Sequence, residues 1–258
     1  MGLVYAVVNQ KGGVGKTTTA VNVAASIALA GKRVLLVDVD PQGNATSGVG
    51  IEKSKLENSI YQVLVDDCSL EEVVLHTAIG GLDIVPSTLD LAGAEIELMT
   101  RIGREQVLKH AIEPIREHYE YIFLDTPPSL GLLTVNCLTA CDSVIVPIQC
   151  EYYALEGITQ LMRTVDLVRR RLNPSLRIAH VVLTMKDPRL RLAQQVEDEV
   201  RGFFGGIVSS VVIPRNVRLS EAPSFGMPVV LYDPKSKGAE AYRQFALEVM
   251  KDDSQGIG

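Results

Sequence analysis

Lys11-Gly12-Gly13-Val14-Gly15-Lys16-Thr17-Thr18 decides the fold of this chain. Before it runs the apolar stretch Leu3 to Val8, and after it, from near Gly15, a helix-patterned segment. A strand that stops at a glycine-rich turn and continues as a helix points several backbone N–H groups into one small volume. No side chains crowd that volume, and the helix dipole makes it partly positive, so it suits a phosphate. Lys16 is placed to reach terminal phosphates, and the Thr17 hydroxyl to ligate Mg²⁺. The common pattern G-x-x-x-x-G-K-[ST] is not fully met. Gln10 stands where its first glycine belongs, and a second lysine, Lys11, heads the loop.

Outward from the loop, Thr17 to Ala30 spaces Val21, Ala24, Ala25 and Ala28 as a helix that Gly31 stops. Arg33 to Asp38 reads as a strand buried on both faces, ending in Asp38-Val39-Asp40-Pro41-Gln42-Gly43-Asn44. Carboxylates at the carboxyl end of a strand lie where α/β folds bind ligands. Tyr121 to Asp125 is a second apolar run closing on one Asp, the pattern that sets a carboxylate beside Mg²⁺. Further strands are expected over Leu82–Pro86, Ser143–Gln149, Arg177–Thr184 and Ile207–Ile213. Helices are expected over Ser59–Val65, Leu70–Leu75, Leu89–Met99, Arg104–Glu117, Ala154–Leu172, Leu190–Phe203 and Gly238–Met250. This alternation predicts an α/β protein: a single doubly wound, mostly parallel sheet flanked by helices. Residues 1–250 form one domain in this reading, with 251–258 a frayed polar tail.

Bulk properties narrow the class. With 258 residues, 47% hydrophobic and 22% charged, the chain has ample core for a soluble globular domain. The four cysteines show no C-x-x-C spacing; Cys137 and Cys141, one helical turn apart, read as packing residues in a reducing, cytoplasmic setting. Met1 to Val4 lacks a basic targeting region, and no apolar run approaches the roughly 20 residues that span a bilayer. The net charge of −6 argues against a globally basic nucleic-acid binder. Its distribution is uneven: Arg169 to Arg243 holds 13 Lys/Arg against 7 Asp/Glu, and the remainder 12 against 24. A basic face on an acidic body is the reading, with solvated helix faces the plain alternative.

Five segments occur in order: the loop at 11–18, Val37 to Thr46, Leu124-Asp-Thr-Pro-Pro-Ser129, Gln149 to Gly157, and Ile213-Pro-Arg-Asn-Val-Arg-Leu-Ser-Glu-Ala-Pro223. Together they resemble the ParA/Soj-type chromosome-partitioning ATPases, P-loop NTPases with a deviant Walker A loop, and the resemblance runs from about Val4 to Met250. It implies an ATP-dependent sandwich homodimer in which Lys11 reaches the partner's phosphates and Gly12 sits at the seam. Lys11, Lys16, Asp40 and Asp125 would then serve the chemistry, with Thr17, Asp38 and Asp125 around Mg²⁺. Residues 11–18 with Pro214, Arg215 and Asn216 would hold ATP. Arg189, Arg218 and Lys237, joined by Arg191, Lys235 and Arg243, would form a surface for double-stranded DNA, bound without sequence preference. A ParB-type centromere-binding protein would stimulate a weak ATPase at the nucleoid.

Three alternatives remain open at this point. A MinD-like, membrane-associated division-site regulator would carry a basic amphipathic tail, which Asp252-Asp253-Ser-Gln-Gly does not resemble. A reductase iron protein or an ATP-dependent carboxylase or synthetase would leave the basic C-terminal half unexplained. A nucleotide-gated binding module without turnover would not need Asp40 and Lys11.

Overall fold

The computed structural model describes residues 2–151, 154 and 157–254. Its elements alternate as β1 (Leu3–Val7), α1 (Lys16–Leu29), β2 (Val34–Asp38), α2 (Asn44–Gly48), α3 (Ile60–Val65), α4 (Leu70–Val73), β3 (Leu75–His76), β4 (Leu82–Val85), α5 (Leu91–Leu98) and α6 (Val107–Ile112). There follow β5 (Tyr121–Asp125), α7 (Leu132–Ala140), β6 (Ser143–Gln149), α8 (Ile158–Arg171), β7 (Arg177–Lys186), α9 (Arg191–Phe204), β8 (Val208–Pro214), α10 (Val217–Glu221), α11 (Val229–Tyr232) and α12 (Lys237–Ser254). Eight strands form one sheet in the order β3-β4-β2-β5-β1-β6-β7-β8. Every pairing is parallel except the two-residue β3 against β4. The doubly wound, mostly parallel α/β sheet is therefore as expected, with one short antiparallel edge added.

Parallel strands with helices on both faces bury both of their sides, which is why β1, β2 and β5 are nearly unbroken apolar runs. The period of two divides them: Val4 and Ala6 pack on one face with residues of α3 and α5 to α9, while Tyr5 and Val7 face α1, α11 and α12. In the centre of the sheet, Val7 lies beside Asp125 in register, and Asp38 beside Asp125. The loop after β1 and the carboxylates that end β2 and β5 thus converge without help from any flexible segment.

Some boundaries differ from expectation. The helix predicted to start at Ala154 is seen from Ile158; four of the residues between 152 and 157 lie outside the described ones. The helix expected over Arg104–Glu117 is shorter: α6 spans Val107–Ile112, and 3₁₀ turns carry the chain over Glu113–His118, where Pro114 falls. The closing helix runs to Ser254 and not only to Met250. Its last turn is held down by tertiary contacts, because the Tyr5 hydroxyl donates to Asp253 and Asp252 lies 3.9 Å from buried His180. A polar ending read from sequence alone could not reveal those partners. Among the described residues no helix is long and apolar enough to cross a membrane.

Candidate nucleotide site and basic face

Residues 8–15 turn the chain over the carboxyl end of β1. Asn9 pins that turn: its amide nitrogen donates to Pro147 O at 2.8 Å, and its Oδ1 accepts from Lys11 N at 3.0 Å. Gly13 and Gly15 adopt φ of +74° and +92°, a region open to glycine and strained for other residues. Gly15 caps the 14-residue α1 but offers no side chain to its first N–H groups, which stay free for an anion. Lys16 is 6% exposed and donates from Nζ to Lys11 O at 3.1 Å. Burial lowers its pKa, while Asp125 and Asp40 oppose that shift.

The carboxylates differ in what they already hold. Asp38 is fully buried; its Oδ1 accepts from Asp40 N at 3.2 Å, and its Oδ2 from Thr46 N at 2.8 Å and Thr46 Oγ1 at 2.7 Å. Burial pushes its carboxyl up to about 6 against the pull of those hydrogen bonds. Asp38 thereby fastens the 40–46 loop, a duty that the metal role expected for it did not foresee. Asp40 is 6% exposed and accepts from Gln42 N at 2.9 Å. Asp125 is also fully buried, yet neither of its oxygens has a hydrogen-bond partner. Burial, then the charge of Asp38, raises its pKa well above the usual carboxylate range; the Thr17 side chain, close by but outside good hydrogen-bond geometry, and the Lys16 charge oppose. A buried, unpartnered carboxylate next to a phosphate cradle is a strong demand for a cation. Among the described residues no cluster of three or more His, Cys, Asp or Glu forms a metal cage. A hard cation that takes its remaining ligands from phosphate and water fits such a site.

At the rim, the Lys11 ammonium is half-exposed, 3.7 Å from Glu151, which also lies 3.8 Å from Arg215. Gly12 beside it has no unusual φ, and a Cβ there would meet only Pro128 Cβ at 3.9 Å. Next to Gly15 and Thr18 opens a cavity of about 520 Å³, bounded by Met185, Pro214, Arg215, Asn216, Leu219 and Tyr242 among others. Small-molecule pockets commonly span about 300–1,000 Å³. The expected Pro214, Arg215 and Asn216 therefore do meet the loop. Thr184, Met185 and Tyr242 were not foreseen. Thr184 follows an apolar run at a strand's carboxyl end, the signal that flagged Asp38 and Asp125, and its Oγ1 donates to Val14 O at 2.8 Å.

The proposed basic face is more neutral than its residue count suggested. Arg189 is clamped on Asp187 at 2.6 and 2.9 Å, holding that carboxyl down at about 2. Arg218 reaches Glu221 at 2.7 Å and Asp233 at 3.2 Å, and Arg243 reaches Glu240 at 2.6 Å. Lys237, the first residue of α12, lines a groove with Lys235 and Arg243, and no ion pair of either lysine is formed among the described residues.

A glycine-rich loop between β1 and α1, two lysines on it, and two strand-end carboxylates beneath it define a P-loop nucleotide-binding α/β protein with a second, loop-heading lysine. Comparison with known proteins carries this further. A family model described as "AAA domain" matches residues 2–178. The sporulation initiation inhibitor protein Soj of Bacillus subtilis is 58% identical over 96% of this chain and 98% of its own length. The chromosome partitioning protein ParA of Myxococcus xanthus is 53% identical over 98% of this chain and 90% of its own. Among solved structures, cobyrinic acid a,c-diamide synthase from Mycobacterium smegmatis with bound ADP and magnesium superposes with a TM-score of 0.88 at 39% identity, covering 99% of this chain and 97% of that one. The chain belongs to the Soj/ParA family of chromosome-partitioning ATPases.

Proposed function

We propose that this protein is an ATP-driven DNA-segregation switch: Mg·ATP closes two copies into a sandwich dimer, the dimer binds DNA through a doubled basic face, and hydrolysis returns it to monomers. The observation that carries the reading is the loop's rim. The Lys11 ammonium sits half-exposed at the rim, held, among the described residues, only by the exposed Glu151 at 3.7 Å, and the neighbouring glycine has no reason within its own chain to be a glycine. A second backbone approaching the loop supplies that reason. The structure of the M. smegmatis relative with an ATP analog and magnesium supports ATP and Mg²⁺ as the ligands here.

In this assignment the free N–H groups of α1 and residues 11–18 cradle the phosphates, and the neighbouring Thr17 and Asp125 take Mg²⁺ together, Asp125 through oxygens that hold no well-formed hydrogen bond. The metal supplies charge neutralisation on the phosphates. Asp38 contributes from its neighbouring position, mainly by holding the loop that carries Asp40. Asp40 orients the attacking water, and Lys11 of each copy stabilises charge developing on its mate's nucleotide. Hydrolysis that waits for a partner's lysine is hydrolysis tied to assembly. Pro214, Arg215 and Asn216 hold the base side.

Arg189, Arg218 and Lys237 contact DNA phosphates, which gives sequence-independent, salt-sensitive binding at the nucleoid. A ParB-type centromere-bound protein accelerates hydrolysis and so releases the dimer. The test is sedimentation of an Asp40→Ala variant with Mg·ATP: an ATP-dependent dimer is expected, and a monomer at every concentration removes the scheme.

A further inference from the structure

The turn that carries Asp40 is braced by a residue outside the nucleotide site. Gly43 N donates to Asp40 O at 2.9 Å, which closes Asp40-Pro41-Gln42-Gly43 as a β-turn. The sequence suits that shape: proline presets φ at the second position, and glycine is favoured at the fourth. Within the turn, the Gln42 N–H reaches back to Asp40 Oδ1 at 2.9 Å and sets the direction of the carboxylate. Whatever holds Gln42 in place therefore also holds Asp40.

Two groups press on this turn at Gly43. A Cβ there would come 2.7 Å from Ser87 O, in the loop after β4, and 2.8 Å from Lys53 Cδ. Lys53 opens the 3₁₀ turn Lys53–Lys55, and its stem fills the space that a side chain at 43 would need. From there its Nζ donates to Gln42 O at 2.7 Å. Lys53 is exposed and has no ion pair among the described residues, whereas its neighbour Lys55 lies 2.8 Å from Glu52. An exposed lysine held in one pose gives up rotamer entropy, and a charge-assisted hydrogen bond to the turn carbonyl offsets that loss. Lys53 and Asp40 thus grip the same residue, one at its carbonyl and the other at its N–H.

We propose that Lys53 is a positioning residue for hydrolysis: its ammonium fixes Gln42 O, the Gln42 N–H fixes Asp40 Oδ1, and the carboxylate is held in the direction that orients the attacking water. This rests on the role given to Asp40 above. Lys53 touches neither the phosphates nor the metal in this scheme, so it acts on turnover and leaves nucleotide affinity alone.

The test is a cycle of variants read by release of labelled phosphate from Mg·ATP. Lys53→Met keeps the stem against Gly43 and removes the donor. Its kcat should fall about three- to tenfold, the scale of one hydrogen bond, with KM, nucleotide affinity and melting temperature unchanged. Lys53→Arg keeps a donor and should recover most of the loss. In an Asp40→Ala background Lys53→Met should cost nothing further, because no carboxylate is left to aim. A lysine that only supports the fold would lower turnover in both backgrounds. Several results overturn the positioning role while leaving that of Asp40 in place: an unchanged kcat in Lys53→Met, a raised KM or lowered melting temperature, no recovery with arginine, or an equal fall in the Asp40→Ala background. Wild-type turnover in Asp40→Ala itself overturns the reading beneath it.

Discussion

Gly12→Val separates what the loop needs for its own fold from what it needs for a second copy. Gly12 is not among the positive-φ glycines, and an added Cβ would come no nearer than 3.9 Å to Pro128 Cβ. Replacing glycine at a conformation that other residues accept raises stability by about 0.4–1 kcal/mol, through the unfolded chain. The nucleotide-free variant should therefore melt at or slightly above the wild-type temperature and still bind Mg·ATP. In the proposed dimer each valine meets the facing loop, and a twofold interface meets every substitution twice. Overpacking costs about 1–3 kcal/mol at each site, or roughly 2–6 kcal/mol for the pair. That weakens dimerisation between about 30-fold and about 10⁴-fold. Sedimentation velocity in an Asp40→Ala background with Mg·ATP reads the shift directly. Gly13→Val is the control, because its φ of +74° is strained for valine whatever the space around it, and it should melt lower before any nucleotide is added. A Gly12→Val protein that dimerises as tightly as its parent, or that melts as Gly13→Val does, refutes the argument that the second copy explains the glycine.

Three more outcomes are expected. Asp40→Ala should keep the ATP-dependent dimer while turnover falls by about 10²-fold or more, the scale set by removing a water-orienting group; wild-type turnover would remove Asp40 from the chemistry. Asp125→Asn exchanges a buried, unpartnered carboxylate for a neutral amide, so the apo protein should melt no lower. Nucleotide affinity in that variant should become insensitive to chelation of Mg²⁺, and an unchanged Mg²⁺ dependence would place the metal elsewhere. Arg218→Ala should flatten the log–log salt dependence of DNA binding by roughly 0.9 for each phosphate no longer neutralised, hence by about 1.8 for a dimer, equally on unrelated DNA sequences; an unchanged slope in filter binding would move the surface away from α10.

Much of this was legible in the chain because it is local. The loop at 11–18, the runs ending at Asp38 and Asp125, and the strand–helix alternation each lie within a dozen residues, and parallel pairing brings their ends together. What escaped depends on contacts distant in sequence. Thr46 and Ser87 secure Asp38 in a chain of hydrogen bonds that no spacing rule predicts. The last turn of α12 is ordered by Tyr5, at the other end of the chain. Met185 looks like an ordinary strand residue until its backbone angle is seen. One miss was readable: Asp187/Arg189, Arg218/Glu221 and Glu240/Arg243 stand two or three residues apart, close enough to pair, and a bare count of charges passes over that.

Those pairs bear on how the proposed DNA surface would be silent in the monomer and active in the dimer. An exposed Arg–carboxylate pair is worth about 0–1 kcal/mol, so a phosphate can displace the carboxylate from Arg189, Arg218 or Arg243 at little cost. The displaced Asp187, Glu221, Asp233 and Glu240 stay in place, however, and repel the same phosphate. Each protomer therefore offers three cations with no ion pair among the described residues, Arg191, Lys235 and Lys237, and a set of half-cancelled arginines. Binding strength grows as a power of the phosphates neutralised, so one such face holds DNA weakly at physiological salt and two rigidly joined faces multiply their effects. In the proposed scheme, partial neutralisation would make the monomer a poor binder without disarming the dimer. Charge reversal of the carboxylates tests this: Asp233→Lys should bring DNA binding to the nucleotide-free monomer, measured by anisotropy at rising salt. If the monomer stays inert while the ATP-bound dimer gains nothing, self-neutralisation is not what keeps the face quiet.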